Sequence, residues 1–433
     1  MLQMLGCSSI EKLLQIPENL LLPKISVDDG LSEMEGLQLM RAIGKKNSFS
    51  ELDSYLGAGA YDHYVPAIVA AICQRSEFLT SYTPYQAEAS QGMLQAIFEY
   101  QTAICALTGM EAANASVYDG ANACAEALAM ALRARPEKNR LLVSAALHPH
   151  YRRVIDLYFS RRPFEIITIP YLENGALDQE RLAQFLNGQT AACLLASPNF
   201  FGIVEEFSAV AALLKQQEAI SILCANPLAY GIYQPAGGMG FDIAVGDSQP
   251  FGLPLQYGGP YSGYMACRRD LLRQLPGRIA GETTDAAGRR GFVLTLQARE
   301  QHIRREKATS NICTNQALAS LASLIALLWY GKQGIKELAL HNYQNARWLQ
   351  NQLQDIFPGF QTPAILNEFT LNFGRPVEQV QAYFRKHDIE PGLSLAEYYP
   401  ELTGWFLLAV TETKTDAQLK RFVEVAKRLK SDG

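Results

Sequence analysis

Between residues 141 and 267, short apolar runs alternate with helical stretches, and this alternation limits the possible folds more than any other feature of the sequence. The runs are Leu141-Leu-Val-Ser, Phe164-Glu-Ile-Ile-Thr-Ile, Ala191-Ala-Cys-Leu-Leu-Ala, Ile220-Ser-Ile-Leu-Cys, Asp242-Ile-Ala-Val and Tyr264-Met-Ala-Cys. Between several of them lie amphipathic stretches, His150 to Phe159, Asp178 to Leu186 and Ser208 to Gln217. Apolar strands of this length, separated by helices, predict a mostly parallel sheet covered on both faces. Two longer helices precede them: Gln91 to Leu107 stops at Gly109, and the Ala-rich Ala121 to Arg135 stops at Pro136. The large α/β domain is expected over residues 61–330.

The flanks read differently. Residues 1–60 are expected to be a helical segment, with one helix in Ile10-Glu-Lys-Leu-Leu broken by Pro17 and another opened by a capping Ser32. Residues 331–433 predict a small α+β domain: strands at Glu368-Phe-Thr-Leu-Asn-Phe and Trp405-Phe-Leu-Leu-Ala-Val each precede a helix, Pro376 to His387 and Asp416 to Leu429. The apolar run Ala317 to Tyr330 is too short to span a bilayer and reads as a buried helix.

Composition narrows the function classes. With 48% hydrophobic and 19% charged residues, 433 residues can bury a large core, which excludes a disordered chain. A net charge of −5 gives no general attraction for nucleic acid or membrane, although a local basic patch stays compatible with it. The eight cysteines are scattered singly, with no C-x-x-C pair, as expected of small buried residues in a reducing compartment. His148 and His150 have no acid or cysteine cluster beside them, so no metal site is expected. Met1-Leu-Gln-Met-Leu-Gly-Cys is too short and lacks the basic start of a targeting segment, so a cytoplasmic location is expected.

In a doubly wound sheet, ligands bind at the carboxyl ends of the strands. Four loops there can carry chemistry. Tyr118-Asp-Gly120-Ala-Asn122 enters a helix and offers backbone N–H groups to a phosphate, or is simply a helix capped by Asp119 or Asn122. Ser197-Pro-Asn-Phe-Phe-Gly202 reads as a tight turn. Cys224-Ala-Asn226 ends a buried strand on a polar residue. Gly246-Asp-Ser-Gln249 follows the next strand and leads into the glycine-dense Tyr257-Gly-Gly-Pro-Tyr-Ser-Gly263.

These four loops in this order resemble the pyridoxal-phosphate-dependent transferases of the aspartate-aminotransferase fold, fold type I. In that fold the first loop holds the cofactor phosphate, the third supplies an Asp to the pyridine nitrogen, and the fourth carries the Schiff-base lysine. Here the third loop has Asn226 and the fourth has Gln249. No lysine occurs between Lys215 and Lys307. A carboxamide cannot form an imine with an aldehyde.

Longer segments resemble the glycine cleavage system P protein: Tyr82-Thr-Pro-Tyr85-Gln86-Ala-Glu-Ala-Ser-Gln-Gly92, Ser116-Val-Tyr-Asp-Gly, Tyr257-Gly-Gly-Pro, and Glu300-Gln-His302-Ile-Arg304-Arg305-Glu-Lys-Ala-Thr-Ser-Asn311-Ile-Cys313-Thr. The Gln-Ala-Glu-Ala-Ser stretch departs mildly from the family's Gln-Pro-Glu-Ile-Ser. Half length and without the lysine, the chain resembles subunit 1, the N-terminal-half subunit of the two-subunit form.

The resemblance implies a subunit of the glycine decarboxylase that decarboxylates glycine and transfers the aminomethyl group to the lipoyl arm of H protein. Pyridoxal phosphate would be held by a lysine-bearing subunit 2, in an assembly of two copies of each subunit. No catalytic residue is then expected in this chain, and Gly120, Asn122, Asn226 and Gln249 would line a degenerate cofactor pocket. Tyr82, Tyr85, Gln86, Arg304, Arg305, Asn311 and Cys313 are the candidates for the active-site edge or the subunit interface. For the arginine pair the plain alternative is a solvated helix face balanced by Glu300 and Glu306. For the tyrosine segment it is an ordered loop on the core. Cys313 is read as a small buried residue, with an exposed redox-sensitive thiol as its alternative. An independent pyridoxal-phosphate transferase or lyase, and a pseudoenzyme scaffold with no part in turnover, are the competing functions.

Overall fold

A computed structural model describes residues 1–14, 17–20, 27–360, 362 and 364–431. The chain forms two compact units, Met1–Glu51 and Leu52–Gly433.

In the first unit the helix expected at Ile10–Leu14 is only a single 3-10 turn, Glu11–Leu14, and a second turn, Glu18–Leu20, follows Pro17. Four residues between breakers are too few to repay the nucleation of an α-helix. The expected helix after Ser32 does form, as α1 (Glu33–Gly44). Its capping box is complete: Ser32 Oγ accepts from the Glu35 N–H at 3.3 Å, and the Glu35 carboxylate accepts from the Ser32 N–H at 3.0 Å.

The second unit is built on a seven-stranded sheet. Its strands are β1 (Ala112–Ala113), β2 (Arg140–Ser144), β3 (Glu165–Ile169), β4 (Thr190–Ala196), β5 (Ile220–Cys224), β6 (Ile243–Asp247) and β7 (Gly263–Cys267), in the spatial order β1-β7-β6-β5-β4-β2-β3. β2 to β6 are mutually parallel, β7 runs antiparallel beside β6, and β1 pairs antiparallel with β7 at the edge and so runs in the direction of β2 to β6. Every residue of β4, β5 and β6 is buried. Successive residues enter opposite layers: Cys193 and Leu195 join one core cluster, and Leu194, Ile222 and Val245 join the other. That double burial is why these strands read as unbroken apolar runs instead of alternating ones.

Helix α2 (Gln91–Thr108) packs on one layer and α3 (Gly120–Ala134) on the other. From Gly120 to Leu132, α3 is buried at every position except Asn122. The six alanines of this stretch (121, 123, 125, 127, 129 and 131) let the helix lie this close to the sheet. Helix α4 (Pro149–Phe159) packs beside α3.

Two features depart from the sequence reading. An antiparallel hairpin, β8 (Ile279–Thr284) with β9 (Arg290–Thr295), occupies a stretch for which no element was expected. Two glutamines of α2 fasten it: Gln91 bonds both main-chain groups of Phe292, at 2.8 Å each, and Gln101 bonds both of Ala280, at 3.0 and 2.8 Å. The buried helix expected at Ala317–Tyr330 is the first part of a longer helix, α5 (Ala317–Leu353), which kinks at Gly331 (φ 58°, ψ −177°). Ser320 to Leu327 are buried, whereas Leu328 and Trp329 are exposed. Among the described residues no helix is long and apolar enough to cross a membrane.

The C-terminal strands and helices form as expected. β10 (Glu368–Asn372), β11 (Leu393–Ser394) and β12 (Trp405–Ala409) make an antiparallel sheet in the order β10-β12-β11, covered by α6 (Val377–Arg385) and α7 (Asp416–Ser431). The core there is separate and aromatic, with Phe357, Phe369, Phe384, Phe406 and Phe422 in one cluster.

Candidate functional site

The second, third and fourth loops line a cavity of about 70 Å³ at the carboxyl ends of the parallel strands, with Tyr61, His148, Tyr151, Asn226, Asp247 and Glu368 in its wall. Of the four residues expected to line it only Asn226 does, because Gly120, Asn122 and Gln249 are turned to partners of their own. The first loop caps α3. Asp119 is the cap: its Oδ1 accepts from the Asn122 N–H at 2.8 Å and from Asn122 Nδ2 at 3.0 Å. The Gly120 N–H, one of the donors a phosphate would use, instead donates to Asp247 Oδ2 at 3.0 Å. A Cβ at position 120 would lie 2.4 Å from the Tyr151 hydroxyl, so only glycine fits beneath that ring.

The Asp247 carboxylate thus takes up an N–H that the sequence reading offered to a phosphate. Its Oδ1 accepts from the Gln249 N–H at 2.9 Å and from the Ser262 N–H at 3.4 Å. Burial raises its pKa to about 6, against the lowering effect of the Gly120, Gln249 and Ser262 N–H groups. On the third loop, Asn226 Oδ1 accepts from the Leu228 N–H at 3.0 Å, and Nδ2 is buried with no hydrogen-bond partner among the described residues.

On the fourth loop, the Gln249 side chain is fully engaged. Its Oε1 accepts from the Tyr61 N–H at 3.0 Å, while Nε2 donates to the carbonyls of Tyr61 at 2.8 Å and Leu253 at 3.0 Å. This clasp holds the segment from Ala58 to Tyr61 over the cavity. Glu368 supports the same segment, accepting from the Ala58 N–H at 2.6 Å and from the Tyr61 hydroxyl at 2.7 Å. Burial raises the Glu368 carboxyl to about 7.

His148, which the sequence reading set aside together with His150, lies in this cavity wall. Its ring stacks on Tyr151 at 4.7 Å, Nδ1 accepts from the His150 N–H, and Nε2 lies 2.8 Å from the Ala58 carbonyl. A carbonyl only accepts, so Nε2 carries the proton of a neutral ring. Burial pulls its pKa down to about 4. Among the described residues no cluster of His, Cys, Asp and Glu can hold a metal.

These residues do not fit pyridoxal phosphate. An anion already sits at the helix N-terminus, the strand-end acid is an amide, and no lysine lines the cavity. The space suits roughly two water molecules, whereas small-molecule sites occupy about 300 Å³ or more.

The candidates from the two long segments sit elsewhere, and one buried arginine joins the segments. Arg278 packs its guanidinium against the Tyr85 ring at 5.3 Å and donates from Nη2 to the Tyr85 hydroxyl at 3.2 Å and to the Cys313 carbonyl at 2.6 Å. His302 meets the other side of this group, 5.2 Å from the Tyr85 ring. Arg278 carries no local motif, so its role emerges only in the folded chain.

Tyr82 (77% exposed), Gln86, Arg304, Arg305 and Asn311 project into solvent. The helix face expected to balance the arginine pair is not formed. The helix is a single turn, Gln301–Arg304, Arg305 has φ 53°, and neither arginine forms an ion pair among the described residues. Cys313, read as a small buried residue, is exposed, because its N–H and carbonyl are held by Tyr118 and Arg278 while the side chain is left outside.

The glycine cleavage system P-protein family matches residues 1–426. A probable glycine dehydrogenase (decarboxylating) subunit 1 of Protochlamydia amoebophila is 58% identical over 432 residues, covering 99% of this chain and 97% of that protein. The protein of the same description from Geobacillus thermodenitrificans is 46% identical, covering 98% and 95%. The crystal structure of a glycine decarboxylase (P-protein) of the glycine cleavage system, in inhibitor-bound form, superposes with a TM-score of 0.88 at 38% identity, covering 99% of this chain and 97% of that one. A glutamate decarboxylase of Lactobacillus brevis superposes with a TM-score of 0.71 at 12% identity, covering 96% of each, and shares the fold alone. The fold is therefore the expected one, that of the pyridoxal-phosphate-dependent transferases of fold type I. The chain belongs to the glycine cleavage system P-protein family.

Proposed function

We propose that this chain is the non-lysine subunit of a two-subunit glycine decarboxylase. A partner subunit bearing the lysine would hold pyridoxal phosphate, decarboxylate glycine and pass the aminomethyl group to the lipoyl arm of H protein. The observation that carries this reading is the Asp247 carboxylate on the Gly120 N–H, with Gln249 clasped to Tyr61 at the lysine position. The pocket of this chain is thereby a structural element, and the reaction belongs to the other subunit.

The exposed Tyr82, Gln86, Arg304, Arg305, Asn311 and Cys313 then serve the partner, lining the interface or the edge of its active site. Tyr85, itself 49% exposed, shares that surface and also fixes the two segments on Arg278. An assembly of two copies of each subunit in the cytoplasm fits this reading, and eight free cysteines support a reducing compartment. A division into a large part, 61–330, and a small part, 331–433, is supported by the aromatic cluster around Phe369, Phe384 and Phe422 and by the kink at Gly331, while the cluster of Phe200, Phe201, Tyr399 and Leu407 packs the two parts together. Relatives named as subunits of a dehydrogenase favour this function over a scaffold with no part in turnover.

The test is an absorbance spectrum of the purified chain with pyridoxal phosphate, before and after borohydride, and then with a lysine-bearing subunit added. No lysine-imine band alone, but a band and glycine decarboxylation once the partner is present, is the expected outcome. A band that borohydride fixes onto this chain would refute the proposal.

A further inference from the structure

A second cavity, of about 480 Å³, lies away from the strand ends, between the C-terminal half of α3, helix α4 and the loop Glu306–Asn311. Three cations line it: Arg133, Lys138 and Arg162. None of them forms an ion pair among the described residues. Their hydrogen bonds go to neutral carbonyls. Arg133 Nη2 donates to Gln274 O at 3.2 Å, and Lys138 Nζ donates to Gln217 O at 2.9 Å and Glu218 O at 3.0 Å. Arg162 lies against the Phe159 ring at 5.7 Å. Carbonyls satisfy donors but leave the positive charge uncompensated, and the C-terminal end of α3 adds only a fractional negative charge.

Two acids share the cavity wall. Glu126 is half occupied: its Oε1 accepts from the Tyr158 hydroxyl at 2.6 Å and from Ser310 Oγ at 2.8 Å, while its Oε2 is buried with no hydrogen-bond partner among the described residues and sets one acidic group against the three cations. Glu306 is an exposed residue of the loop. The remaining balance still presses on Arg133, whose pKa falls to about 10. Burial is the main cause, with Arg162 and Arg299 adding to it and Glu126 opposing it. Thr309 and Asn311 complete the wall with neutral polar groups.

We infer that this cavity is a binding site for a small oxyanion, a phosphate or carboxylate group, held by Arg133 and Arg162 with Lys138 as a fixed positive charge behind them. Guanidinium forks match both groups with paired hydrogen bonds. The inference uses no residue of the strand-end pocket, and it shares only Asn311 with the surface that the proposed function gives to the partner subunit. It also gives a role to the second half of the Glu300–Thr314 segment, which forms one wall of the cavity.

The test is calorimetric titration of the full-length chain with inorganic phosphate, and separately with succinate, at ionic strength held constant by chloride. Saturable binding of either ion at one site is expected, together with a melting temperature that rises with its concentration. Arg162→Ala, at an exposed position, should weaken binding about ten-fold, the loss expected for one charge-assisted pair. Thr309→Trp, which fills the cavity without removing a charge, should abolish it. Tighter binding of phosphate or of succinate identifies which group the site takes. No saturable binding of either ion, or binding unchanged in both variants, would overturn the inference.

Discussion

The strand-end pocket and the surface built by the two long segments handle polar groups in opposite ways. Around the pocket, polar groups look inward to one another: Asp247 to Gly120, Gln249 to Tyr61, and Glu368 to Ala58 and Tyr61. At the segments, Arg278 anchors the base, while Tyr82, Arg304, Arg305 and Cys313 are left facing out. A site whose groups are consumed internally stabilises a fold, and a rigid base carrying unpaired groups is suited to meeting another molecule. The pocket is thus consumed as structure, whereas the segments leave their polar groups free, as the proposed partner role requires.

The largest effect that tests this contrast is expected from Arg278→Ala. It removes the bonds of a buried guanidinium to Tyr85, Cys313 and Asn315 beneath the exposed segments and should destabilise the chain by about 4 kcal/mol. Denaturant unfolding measures this, and a loss near zero would mean that the segments are not held from below.

The inward-looking pocket should show itself as a pH dependence. Glu368 is raised in the folded chain to about 7 from an ordinary 4.5, so its contribution is fully present below 4.5 and is lost as pH rises through 7. The difference corresponds to about 3 kcal/mol. Glu368→Gln should flatten the stability profile between pH 4.5 and 7, and an unchanged slope would show that the carboxyl is not strained by burial.

The smallest effect on stability is expected from Arg304→Ala with Arg305→Ala, within about 0.5 kcal/mol, because both are exposed and unpaired. Turnover with the lysine-bearing subunit should nevertheless fall. Equal turnover and equal assembly would remove the arginine pair from the interface.

The parallel core was legible because β4, β5 and β6 are buried on both sides and so carry continuous apolar runs. The hairpin β8–β9 was not. Its outer residues, such as Glu282, Thr283 and Arg290, are polar, and what fixes it is contributed by Gln91 and Gln101 of a distant helix. At the pocket, the identities of Asn226 and Gln249 could be read directly, but their roles could not. Gln249 has its partner 188 positions away at Tyr61, and no local pattern announces a contact at that distance. Asp247 sat beside the residue that drew attention, and its significance depends on Gly120 being brought to it by the fold. His148 was read only as a metal ligand lacking a neighbouring acid or cysteine, and its place in the wall was not legible because its partners, Tyr151 and the Ala58 carbonyl, are brought to it by the fold.

Gln249 also bears on the history of the pocket. Its amide spans both main-chain groups of Tyr61 and the carbonyl of Leu253, so placing a lysine there would unfasten the segment that lies across the cavity. Return to an imine-forming residue would therefore have to pass through an intermediate with a loosened wall, still facing the Asp247 carboxylate and still lacking an acid at position 226. Asn226, Asp247 and Gln249 each hold a main-chain N–H, so an exchange at any one of them costs the framework before it could bring reactivity.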